Sequence, residues 1–142
     1  MKRDPRLRGL SSDHHHALAL ARRVAHGCAG GQVTSELVRS VWDAYERQLA
    51  PHFAIEEEVL LPALARAGEG ARVERTLREH EAMRAQLTAA AAGDATALAA
   101  FATTLAEHVR FEEHELFPAL ERTASDEVLQ KAQARCDQAH PR

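Results

Sequence analysis

"HVRFEEHELFPAL", residues 108–120, is spaced like a helix, yet it sets a histidine and a glutamate where a helix should be apolar. At ~3.6 residues per turn, His108 and Glu112 lie about 40° apart on one face. Leu105 and Leu116 extend that face. A buried carboxylate without a partner is costly, so something must cancel its charge. Residues 52–64, "HFAIEEEVLLPAL", repeat the arrangement, with identity at seven of thirteen positions in an ungapped alignment. In that copy His52 and Glu56 stand between Leu49 and Leu60. Two copies ask for a shared cause.

Outward from these stretches, punctuation divides the chain into helices. Ser12 is placed to cap a first helix running to about Gly27, before the glycines at 30 and 31. Thr34 or Ser35 opens a long second helix to about Ala67, with Glu36 suited to its positive N-terminal end. Pro51 and Pro62 should kink this helix without ending it, because the amphipathic pattern continues past both. A third helix is expected over about 71–92, and Asp94 caps a fourth that ends near Thr123. Ser125 opens a short fifth helix from Asp126 to about Ala139. No segment alternates like a half-buried strand. Short connections imply antiparallel neighbours, hence an all-α, up-down-up-down four-helix bundle over about 10–123 with a short C-terminal helix. The chain, residues 1–142, is expected to form a single domain.

Each main helix carries a histidine on its expected inward stripe. In the first, Leu10, His14, Leu18, Ala21 and Ala25 align; in the third, Val73, Leu77, His80 and Leu87 do. The second and fourth present His52 with Glu56 and His108 with Glu112. Within "DHHH", His15 and His16 recur one heptad on at Arg22 and Arg23, whereas His14 recurs at Ala21. His14 is therefore the first choice and His15 the reserve. An acidic residue also precedes His14, His80 and His108. His26, His114 and His140 read as surface or structural residues.

A lone histidine on an apolar face is more often a hydrogen-bonded core residue than a ligand. The set resists that reading, because two glutamates in one core face a single plausible cation, Arg84. Isolated ionised carboxylates there would be costly or forced neutral. Divalent metal cancels the charge and uses the imidazoles as well. Mixed imidazole and carboxylate donors suit iron, zinc or manganese. Six donors from four helices exceed one tetrahedral zinc and suit two metals bridged by two carboxylates, with two histidines each. The zinc-protease His-Glu-x-x-His and the Glu-x-x-His of ferritin-like bundles are both absent.

The composition is 45% hydrophobic and 27% charged, which is globular, and its alanine and leucine favour helix. A net charge of −3 argues against a nucleic-acid binder, and Lys2, Arg3, Arg6 and Arg8 read as a solvated basic arm. No apolar run reaches the ~20 residues needed to span a bilayer, and "KRDPRLRGL" has no signal-peptide core. A cytoplasmic protein is expected, with Cys28 and Cys136 as reduced thiols; pairing between them is the alternative.

The His-x-x-x-Glu pairs, with single histidines in "DHHHALALARR" and "REHEAMRAQL", resemble the hemerythrin-like, or HHE, cation-binding family over about residues 10–122. The resemblance implies a non-haem di-iron centre, with zinc or manganese as substitutes, meeting O2, NO or peroxide. It carries over to His14, His52, Glu56, His80, His108 and Glu112. Two departures stand out. Oxygen-carrying hemerythrins place a second histidine where this chain has Arg84, and an aspartate where it has Glu113, a candidate to support a ligand from behind. Reversible oxygen carriage is therefore not implied. The leading expectation is a protein that binds or senses O2 or NO, or handles iron. A di-iron oxidase or peroxidase, and a partner-binding bundle stabilised by metal, are the alternatives. A sensor would need a partner or a homo-oligomer, with the exposed face of the fifth helix as one contact.

Overall fold

The computed structural model describes residues 2–31 and 33–140. Among these the chain is all helical. A 3-10 turn at Pro5–Leu7, capped by the Asp4 side chain, runs directly into α1, Arg8–Ala29. Ser12 thus lies inside α1, which starts one turn earlier than its expected cap. α2 covers residues 35–66, with Thr34 accepting from the Leu37 amide at its N-terminus. α3 is Gly70–Ala91, α4 covers 95–123 with Asp94 as cap, and α5 is Asp126–Ala139 with Ser125 as cap. The turns after α2 and α3 each use a glycine at positive φ, Gly68 at 85° and Gly93 at 108°. The next amide then reaches back to the helix, Glu69 to Leu64 O at 2.9 Å and Asp94 to Ala89 O at 3.0 Å.

Prolines 51, 62 and 118 do not end their helices. Each follows by two residues a widened π turn, at Tyr45–Leu49, Glu56–Leu60 and Glu112–Leu116. A proline ring lacks an N–H and crowds the carbonyl one turn before it, and a π turn relieves that crowding within a continuous helix. Two of these turns begin on Glu56 and Glu112.

α4 lies against both α1 and α3, while α2 packs on α1 and α3 from the other side. α5 covers the 3-10 turn, α1 and the middle of α2. The inward stripes of α1 and α3 run by alternating steps of three and four: Leu10, His14, Ala17, Ala21, Val24 and Val73, Thr76, His80, Met83, Leu87, Ala90. The step of three from Ala21 to Val24 and from Val73 to Thr76 takes the seam past Ala25 and Leu77, which were expected inside and are exposed. The basic arm is not free in solvent either. Arg3 pairs with Glu121 and Glu113, and Arg6 with Asp4 and Asp126.

The apolar core is split. One half gathers Val24, Leu49, Phe53, Leu87, Phe101 and Leu105; the other holds Leu10, Leu60, Leu64, Phe117, Leu120 and Leu129. Each fully buried Leu or Phe contributes roughly 1.5–3 kcal/mol. Between the halves lies a polar layer.

Candidate metal centre

That layer consists of His14, His52, Glu56, His80, His108 and Glu112, all at most 5% exposed, and both glutamates at 0%. The imidazole Nε2 atoms converge on the carboxylates. His52 lies 2.9 Å from Glu56 Oε2, and His80 lies 3.0 Å from Glu56 Oε1. His14 lies 2.9 Å and His52 3.4 Å from Glu112 Oε1, while His108 lies 3.0 Å from Glu112 Oε2. Two quartets result, His14–His52–Glu56–Glu112 and Glu56–His80–His108–Glu112, each with its donor atoms within 4.8 Å of one another. Both glutamates belong to both quartets.

Every imidazole is gripped from behind through Nδ1: His14 by Glu113 (2.5 Å), His52 by Asp13 (3.0 Å), His80 by Glu57 (2.6 Å) and His108 by Glu79 (2.7 Å). An Nδ1–H donating outward leaves Nε2 as an inward lone pair, the arrangement of metal-bound histidine. Aromatic rings fix the planes: Phe53 stacks on His80 at 3.9 Å and Phe117 on His14 at 5.2 Å.

Two observations test whether metal suits these residues. Both oxygens of Glu56, Oε2 of Glu112 and Nε2 of His80 and His108 are buried without a hydrogen bond. They approach one another closely, yet not along hydrogen-bond directions. Donor atoms aimed at a common point, not at each other, behave this way, and buried polar groups rarely stay unpaired. The charge is the second observation. Burial works against a charged His108, but Glu112 and Glu79 outweigh it and hold its pKa up at about 10. Burial likewise opposes the charge on His14 and His52, and the carboxylates around them raise both pKa values. Burial would raise Glu112, but His108, His14 and His52 hold it well below the usual carboxylate range. Without metal, protons must play the part of the cation. The residues fit a divalent metal centre.

All six donors expected from the resemblance meet in this layer. His15 does not join them; it is exposed on α1, as are His26 and His114. Arg84 turns outward to Glu57 at 3.7 Å. Glu113 supports His14 through Nδ1. Asp13, Glu57 and Glu79 were not assigned from sequence, although the acidic residue before His14 and His80 was the available signal. His140, expected to be an incidental surface residue, pairs with Asp13 at 3.3 Å.

Residues 6–120 match the family model of the hemerythrin HHE cation binding domain. The chain belongs to this family. No curated protein and no solved structure matches it. The HHE domain and its buried histidine–glutamate cluster together make this a metal-binding protein. Both cysteines of the HHE chain are free, Cys28 half-buried and Cys136 buried. Among the described residues, no helix is long and apolar enough to cross a membrane.

Proposed function

We propose that this chain, as one domain with an up-down-up-down bundle, holds a non-haem di-iron centre and binds or senses O2 or NO, or handles iron. The observation that carries this reading is the sharing of Glu56 and Glu112 by two adjacent quartets with two histidines each. Iron bound there would supply a position for a small ligand, or electron transfer to a small oxidant. The chain's own part is to orient four imidazoles through Nδ1, to offset part of the metal charge with two carboxylates, and to flank the layer with apolar residues on both sides.

A cavity of about 320 Å³ reaches His14, His52 and His108 from the surface between α1 and α5, with Leu105 and Val109 on its apolar wall. It is several times the ~30 Å³ share of one liquid water. This access favours, as a second reading, an oxidase or peroxidase that admits a reductant or peroxide. The test is metal analysis of protein purified from its own host, followed by spectra of the reduced form with O2, NO and peroxide. About two irons per chain and ligand-dependent spectra are expected. A protein that binds no iron, or whose spectra ignore all three ligands, rejects the reading. Sustained turnover of peroxide selects the enzyme.

A further inference from the structure

The carboxylates behind the four imidazoles are themselves gripped from outside. Glu113 meets Arg3 at 3.3 Å, Glu79 meets Arg75 at 3.0 Å, Glu57 meets Arg84 at 3.7 Å and Asp13 meets His140 at 3.3 Å. We propose that Arg3, Arg75, Arg84 and His140 are positioning residues, each acting on the metal centre through one carboxylate and one imidazole. The proposal rests on the reading of this cluster as a metal site.

Isolated surface ion pairs contribute little, so a chance arrangement must be weighed. Three features argue against chance. Each of the four side chains backs a different supporting carboxylate, with Arg3 also reaching Glu121 and Arg75 reaching Glu115, and none of the four supports is left without one. Two of the cations are also held in place by rings that belong to the site: Arg75 lies over Phe111 at 4.1 Å, and Arg3 over Phe117, which stacks on His14. Charge supplies the third. The layer and its supports hold six carboxylates, Asp13, Glu56, Glu57, Glu79, Glu112 and Glu113, more negative charge than two divalent ions cancel. Arg3, Arg75 and Arg84 offset part of that excess and hold Glu113, Glu79 and Glu57 in place behind their imidazoles.

The spokes also differ. His80 and His108 are backed by arginines, whereas His52 is backed by a histidine just past the end of α5, beside the mouth of the cavity. The basic start of the chain acquires a role too. Arg3 reaches the Glu113 carbonyl at 2.8 Å as well as its carboxylate, tying the N-terminal arm to His14.

The test compares Arg3→Gln, Arg75→Gln and, as a control, Arg6→Gln, which loosens the same arm through Asp4 and Asp126 without touching a spoke. In metal-free protein, nitrogen NMR of the imidazoles should show the His14 ring signals shifting in Arg3→Gln and the His108 signals in Arg75→Gln. Arg6→Gln should move neither, and Arg3→Lys should restore His14. In iron-loaded protein, loss of either spoke cation should lower the reduction potential, because a nearby positive charge disfavours the oxidised centre. Unmoved ring signals, or equal movement in Arg6→Gln, overturn the proposal. An unchanged potential in a protein that binds iron does so too. If no iron binds, the functional reading fails, while the metal-free ring signals still decide the spokes.

Discussion

His108 and His114 stand six residues apart in one helix and differ in everything that matters to the site. His108 is buried between Glu79 and Glu112, while His114 is exposed. His108→Ala should therefore lose metal and melting temperature together, since metal binding contributes to folding; His114→Ala should change neither. Equal losses, measured by metal content and thermal melts, would contradict the face assignment. His108 also sets a pH dependence for the metal-free protein. Its folded pKa of about 10 lies above the ordinary 6.5, so its imidazolium stabilises the fold in full below about 6.5 and loses that contribution as pH rises through about 10. Melts of metal-free protein should fall across this window. The loaded protein, whose imidazoles carry no Nε2 proton, should lack this fall. At the residue scale the sequence was legible in part: the six buried polar residues that meet in this layer could be found because their polarity contradicts the apolar stripe that carries them. Asp13, Glu57 and Glu79 were harder to assign, because a carboxylate on a half-buried flank looks the same whether it faces water or an Nδ1–H, and the acidic position before His14 and His80 was the one hint.

Helices are read from periodicity, and their limits show where periodicity stops being informative. The caps at Thr34, Asp94 and Ser125 follow from side chains that accept backbone amides, a local rule that sequence displays. The start of α1 did not follow, because Asp4 caps a 3-10 turn that feeds the helix and makes Ser12 interior. Nor did the π turns, since a proline announces strain but not how a helix relieves it. Leu77 and Ala25 were misplaced because each lies one residue past a seam position, Thr76 and Val24, and spacings of three and four fall on nearly the same face. The docking of α5 on α1 depends on one close approach: a Cβ on Gly9 would come within 2.6 Å of Cys136 Sγ. Gly9→Ala should destabilise the protein by roughly 1–3 kcal/mol, and Cys136→Ala in the same chain should recover most of it. A double variant as unstable as Gly9→Ala alone, in denaturant melts, would place the cost elsewhere.

Across the whole molecule, a charged layer interrupts an otherwise ordinary apolar core. Its cost is met by metal in one state and by protons in the other. Loaded protein should melt roughly 5–10 °C above metal-free protein at metal about a hundredfold over Kd. That gap should shrink in the Glu56→Gln, Glu112→Gln double variant. Equal melting of the loaded and metal-free forms would mean that protons and ion pairs already satisfy the layer. The turn at Gly68 has a wider consequence. Residues before it hold Asp13, His14, His52, Glu56 and Glu57; residues after it hold Glu79, His80, His108, Glu112 and Glu113. Each half thus owns one complete pair of imidazoles and lends its inner glutamate to the other. Cut at that loop, the chain would become two near-equivalent partners, neither able to close a coordination sphere alone. Bound metal would then serve as the rivet of a heterodimer, and its assembly would follow metal concentration.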